Sequence, residues 1–193
     1  MTPEEREKQI KELYSIIGKI TIKNEHMNKS LFTCSLFILQ ASGLDQEFGN
    51  TVLAGQNVET MRRTFTSLAK KYYQEDSKDI EIVEEISKIV DSVNSKRNNL
   101  IHHVWYIGWG NEYTEDYSIA DGHALRKDYK KGGFKLSKQN TTEFYELDKR
   151  MDHAIALVQR LVGCIVGFKP SKNFYRDSNG VLQPGKADME KKA

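Results

Sequence analysis

The sequence predicts an all-α fold: an antiparallel four- to five-helix bundle with a short β-hairpin-rich insertion before the last long helix. Three observations carry that expectation. Apolar residues recur at helical spacing through most of the chain. Capping-type residues stand ahead of the long runs. One stretch, residues 104–139, breaks the rhythm with aromatic and β-branched residues and with Asp-Gly and Gly-Gly pairs.

Taken in order, residues 3–17 read as a short leading helix that Gly18 breaks. Over 20–43, Met27, Leu31, Cys34 and Ile38 follow the i, i+4, i+7, i+11 rhythm of a buried stripe. The link "SGLDQEFGNTVLAGQN" is glycine-bearing and polar and reads as a loop. A second long helix spans 56–74, with Val58, Met61, Phe65, Leu68 and Tyr72 on one face. The third opens near Ser77–Asp79, where acids suit the positive end of the helix dipole, and runs past residue 100. Its stripe is Ile82, Ile86, Ile89, Val90, Val93, Leu100, Ile101 and Val104. The last long helix opens at "NTTE", with Asn140 as N-cap and Glu143 three residues on, and continues through Leu147, Met151, Ala154, Val158, Leu161 and Ile165.

In the insertion, Asp121-Gly122 and Gly132-Gly133 are expected at hairpin turns. Residues 1–168, with the insertion at 104–139, are expected as one helical bundle domain. The polar tail 169–193 lacks periodicity and is expected to be a mobile extension.

Hydrophobic residues make up 38% and charged residues 29% of the 193, which describes a soluble chain. No secretory leader is visible, and the apolar runs "SLFTCSLFILQAS" and "AIALVQRLVGCIVGF" are too short or too interrupted to span a bilayer. A cytoplasmic location follows, with Cys34 and Cys164 as buried free thiols and no membrane partner. No CxxC, HxxxH or HExxH spacing occurs, so neither a metal nor another cofactor is expected.

The net charge of +2 is unevenly spread. Residues 75–91 hold seven acids and two bases, while 126–138 hold six bases and one acid. A nucleic-acid contact would therefore use a local patch. "RKDYKKGGFKLSK" supplies one, interleaving Arg126, Lys127, Lys130 and Lys131 with Tyr129 and Phe134. Cations follow phosphates and aromatic rings stack on unpaired bases. A lysine-rich hairpin edge that blocks strand addition has the same composition.

The most informative stretch is "SKRNNLIHHVW", residues 95–105. Arg97 falls within the apolar stripe, four residues after Val93 and three before Leu100, where an unpaired guanidinium would cost several kcal/mol. Beside it runs a line of short polar residues: Asp91, Asn94 and Ser95, Asn98, His102. Plainer readings make Arg97 the partner of a carboxylate such as Glu59, and make His102 and His103 a cationic helix end.

Together these residues resemble the HEPN superfamily, many of whose members are metal-independent ribonucleases. Its hallmark is an arginine, often followed by a polar residue, with four to six residues before a histidine near a helix end. Arg97-Asn98-Asn99-Leu100-Ile101-His102 fits with four intervening residues, and His103 would fit with five. The resemblance covers residues 15–168. It departs from the usual pattern at His103, which stands where a small residue is common; the register with Asn98 favours His102 as the working histidine.

The resemblance implies an endoribonuclease in which Arg97 and His102 are catalytic and Asn98 and His103 supporting. RNA supplies its own nucleophile, the 2′-OH. Imidazole can move that proton near neutral pH, and a guanidinium fork can stabilise charge on the phosphoryl oxygens. The implied products are a 2′,3′-cyclic phosphate and a 5′-hydroxyl. On an ideal helix Arg97 and His102 point roughly 140° apart, so a homodimer with a composite site is expected, as in the family. A toxin or defence effector restrained by an antitoxin or regulatory protein fits the same resemblance. The alternative is a non-catalytic HEPN-like nucleotide-binding or protein-interaction module with Arg97 as an architectural residue.

Overall fold

The computed structural model describes residues 3–101, 104–106, 121–128, 133–140, 142–165, 167 and 169–185. Among them the chain is mostly helical: α1 (Pro3–Ala41), α2 (Gln46–Leu53), α3 (Val58–Tyr72), α4 (Ser77–Ile101), α5 (Thr142–Ile165) and the short α6 (Pro170–Asn173). The insertion carries β1 (Val104–Tyr106), β2 (Asp121–Asp128) and β3 (Gly133–Asn140), and the tail carries β4 (Phe174–Arg176) and β5 (Leu182–Pro184). The all-α class with a short β insertion is as expected.

The residues form two compact units, Met1–Ile22 with Val93–Arg150 and Lys23–Ser92 with Met151–Ala193. Segments of α1, α4 and α5 serve both units.

In the first unit the buried apolar side chains are Leu13, Ile16 and Ile20 of α1, Val93 and Leu100 of α4, and Phe144 and Leu147 of α5. Gly18 does not break α1. A helix-interior glycine costs about 1 kcal/mol relative to alanine. Burying Ile16 and Ile20 on either side returns roughly 1.5–3 kcal/mol each, so packing wins. Here α1 and α5 run the same way: Tyr145 donates to Glu12 and, further along both helices, Lys19 Nζ meets Asp148 Oδ2 at 2.6 Å. Lys96 of α4 lies 3.6 Å from Glu146 of α5.

The insertion's three strands form an antiparallel sheet in the order β1-β2-β3. Asp121 and Gly122 are not its turn; they lie inside β2, opposite Asn140 and Gln139. Asn140 therefore ends the sheet rather than capping α5, which opens at Thr142. The local "NTTE" signal was outweighed by an eight-pair ladder extending to its first residue. Gly133 opens β3, and Gly132 lies outside the described residues.

In the second unit the α1 stripe Met27, Leu31, Cys34 and Ile38 is buried, as are Met151, Ala154, Val158, Leu161 and Ile165 of α5. The link after α1, expected as a loop, holds α2. Asp45 caps it by accepting from Phe48 N at 2.8 Å, and Leu53 is buried beneath it. Gly49 is a packing residue rather than a breaker, since a Cβ there would come 2.7 Å from Leu36 Cδ1. Asn57 caps α3 by accepting from Thr60 N at 2.9 Å. Helices α3 and α4 are antiparallel: Arg62 meets Asp91, Thr66 meets Ser87, and Lys70 meets Glu84. The buried face of α3 is Met61, Arg62, Phe65, Ala69 and Tyr73, with Val58, Leu68 and Tyr72 left partly or largely exposed.

Burial raises both thiols out of their reactive range, Cys164 to about 11 and Cys34 further, with each other's proximity adding to Cys34.

The tail is not a free extension over residues 169–185. Ser171 N donates to the buried Asp79 carboxylate at 2.7 Å, and Lys169 pairs with Asp76 at 3.2 Å. Arg176 lays its fork on Glu85, at 3.0 Å from Nη1 to Oε1. Phe174 and Leu182 are buried, and β4 pairs antiparallel with β5. Two apolar anchors and three polar contacts to the start of α4 hold a segment whose own sequence lacks periodicity. Residues 186–193 lie outside the described residues.

Candidate active site and neighbouring grooves

Arg97 sits one turn before the end of α4. The buried residues of this helix step from Val83, Ile86 and Val90 to Val93 and Leu100, and Arg97 occupies the position between the last two. It is half-buried there, as its register requires. Its Nη1 donates to Asn98 Oδ1 at 3.0 Å. That bond couples two of the sequence-predicted site residues; Asn98 is exposed, while Nε of Arg97 is buried. Of the adjoining polar line, Asn94 is buried at 8% exposure, whereas Asp91 and Ser95 are exposed.

His102 and His103, the histidine expected to be catalytic and its alternative, lie outside the described residues. Of the basic patch, Arg126 and Lys127 fall within β2, while Lys130 and Lys131 lie outside the described residues. The ladder sets Arg126 opposite Lys135 and Lys127 opposite Phe134. Arg97, Asn98 and these strand positions all belong to the first unit. Glu59, the carboxylate considered for Arg97, is engaged by Arg62 and Arg63, at 3.0 Å in each case.

A polar groove of about 660 Å³ between α3 and α4 was not foreseen from the sequence. Arg62 closes one end. Only 8% exposed, it directs Nε and Nη2 to Asp91 Oδ1 at 2.8 and 2.5 Å. The Thr66–Ser87 hydroxyl pair crosses the middle at 3.0 Å and Lys70–Glu84 the far end at 2.6 Å. The Lys70 ammonium holds the Glu84 carboxyl below its ordinary range. The one sequence signal for this arrangement was Glu59 placed three and four residues before Arg62 and Arg63.

Among the described residues, no group of three or more His, Cys, Asp or Glu side chains is arranged to hold a metal ion. No helix among them is long and apolar enough to cross a membrane. No family model, curated protein or solved structure matches the chain.

Proposed function

We propose that the chain is a metal-independent endoribonuclease, cleaving RNA by 2′-OH attack through a composite Arg/His site in a homodimer. The observation that supports this reading is the coupling of Arg97 and Asn98 on the stripe of α4. A guanidinium is a planar fork of donors matched to a phosphate, and His102 follows in sequence to move the proton. Asn98 acts as a positioning residue, since its oxygen reaches Arg97 rather than needing to touch the substrate. The basic positions of β2 belong to the same unit and would follow the RNA backbone. Action as a toxin or defence effector in the cytoplasm, restrained by an antitoxin or another regulatory protein, belongs to the same proposal.

The test is cleavage of RNA by the purified chain in excess chelator, with Arg97→Ala, His102→Ala and His103→Ala alongside. The reading requires cutting by the parent chain, 2′,3′-cyclic phosphate ends, and loss of cutting in the first two variants with unchanged melting temperatures. Cutting that survives in both would refute it. A chain that binds RNA but never cuts would instead favour the non-catalytic module.

A further inference from the structure

We propose that the outer face of α1 is an interface with a second copy of this chain, the two helices packing antiparallel about Gly18. Tyr14 and Ile22 stand four residues either side of that glycine and are 66% and 59% exposed. Single exposed apolar side chains are ordinary on a protein surface. Here the residues around them specify what covers them.

Seven residues before Gly18 stands Lys11, and seven after it Glu25. Eleven before stands Glu7, and eleven after it Lys29. All four are exposed, as is Gly18 itself. They share one helix, Pro3–Ala41, and at roughly 100° per residue each falls within roughly 40° of Gly18. The charges and the two apolar side chains therefore form one narrow line on the outside of α1.

Turned end for end, that line is its own complement. A second α1 crossing antiparallel at Gly18 sets Lys11 against Glu25, Glu7 against Lys29 and Tyr14 against Ile22. Two-fold symmetry then makes every one of these contacts twice. A parallel copy in register would set lysine on lysine and glutamate on glutamate, so like charge selects against it. A partner of another kind would have to carry this same order of charges reversed, which the chain already supplies.

The single chain leaves these groups available. Lys11 and Glu7 pair with each other at 2.7 Å, but both side chains are largely in water and can turn to a partner. Lys29 lies over the Phe32 ring, 4.9 Å from its centroid, with its own side chain exposed. Gly18 stands at the crossing and adds no side chain, and nothing lies within 4 Å of a Cβ built on it. The helix axes can thus approach to the near end of the usual spacing of about 8–10 Å.

The line runs roughly 33 Å along the helix. A strip of that length and one helix wide covers less than the roughly 800 Å² per partner of a tight complex, so the pairing is reversible, with a dissociation constant of about 1–100 µM. The inference goes beyond the proposed RNA cutting and does not rest on it. That reading needs a dimer but not this face, and this face can pair copies that cut nothing.

Sedimentation equilibrium of the full chain from about 1 to 200 µM is the experiment, and a monomer–dimer equilibrium is the expected result. Lys11→Glu and Glu25→Lys each turn two attractions into two repulsions, and each should weaken the dimer by about tenfold. The two substitutions together exchange the charges and should restore the constant to within about threefold of the parent's. Ile22→Glu should abolish the dimer over the same range. Far-UV circular dichroism checks that each variant is folded, and the charge exchange decides the matter if Ile22→Glu is not. A single chain at every concentration would overturn the proposal. So would a dimer whose constant none of these substitutions moves, since another face then holds it, or a charge-exchanged variant that pairs no better than either single reversal.

Discussion

Arg62 and Asp91 join α3 to α4 through two donors on one oxygen, Nε and Nη2 of the guanidinium against Asp91 Oδ1. The pair is asymmetric in burial, with 10% of the arginine side chain exposed against 57% of the aspartate's. Asp91→Ala should therefore cost about 1–2 kcal/mol, since it strands a buried guanidinium with Glu59 as its remaining carboxylate, discounted because the lost partner is half in water. Arg62→Met keeps the buried stem and strands only exposed acids, so its loss should be smaller. Urea unfolding of the two variants measures the order. The reverse order would mean that the ion pair contributes more than the desolvation it requires.

That pair also marks where sequence reading stops. Periodicity counts apolar residues, so it found the α5 stripe from Leu147 to Ile165 and the α1 stripe from Met27 to Ile38, all of which are buried. Arg62 follows Met61 directly and looks like the solvated edge of α3; its burial depends on Asp91, 29 residues away. The tail was misread for the same reason, because Asp79 and Glu85 hold it across more than 90 residues. Arg97 was legible because its anomaly is local, a cation in register with Val93 and Leu100 on one helix.

The guanidinium of Arg97 is expected to act through its shape as well as its charge. Lysine keeps the charge but has no planar fork to share between Asn98 and a phosphate. Under the proposed reading, Arg97→Lys should lower the rate of RNA cutting by roughly 10²–10³ while the melting temperature barely moves. Single-turnover cleavage beside a thermal melt checks both halves. Near-wild-type cutting by the lysine variant would reduce Arg97 to a point charge.

The tail should release in acid. Lys169 holds the Asp76 carboxyl below its ordinary range, and the Gln183 amide with the Val181 and Asn179 N–H groups does the same for Asp177. A carboxyl whose folded pKa is depressed adds stability above its unfolded value, near 4, and loses it as pH falls through the lower folded value. Contacts of residues 169–185 should thus be intact from neutrality to about pH 4 and weaken below it. Proton exchange at Ser171 and Val181 N–H, read by NMR along a pH series, reports the release. Persistent protection at the acid end would place the tail's hold in Phe174 and Leu182 instead.

Two glycines should respond oppositely to alanine. Gly18 lies in mid-helix with no atom within 4 Å of an added Cβ, so Gly18→Ala should gain about 0.5–1 kcal/mol from helix propensity alone. At Gly49 the same propensity gain meets Leu36 Cδ1 at 2.7 Å. Leu36 is 8% exposed, so its methyl has little room to turn away, and the clash should cancel or exceed the gain. Melting curves of the two variants should therefore fall on either side of the parent chain, Gly18→Ala above and Gly49→Ala level or below. A higher melting temperature for both would show that α2 can lift from α1 without loss. A lower one for Gly18→Ala would show that the outer face of α1 meets something that an added methyl obstructs, and a second copy of this chain is then the first contact to measure by sedimentation.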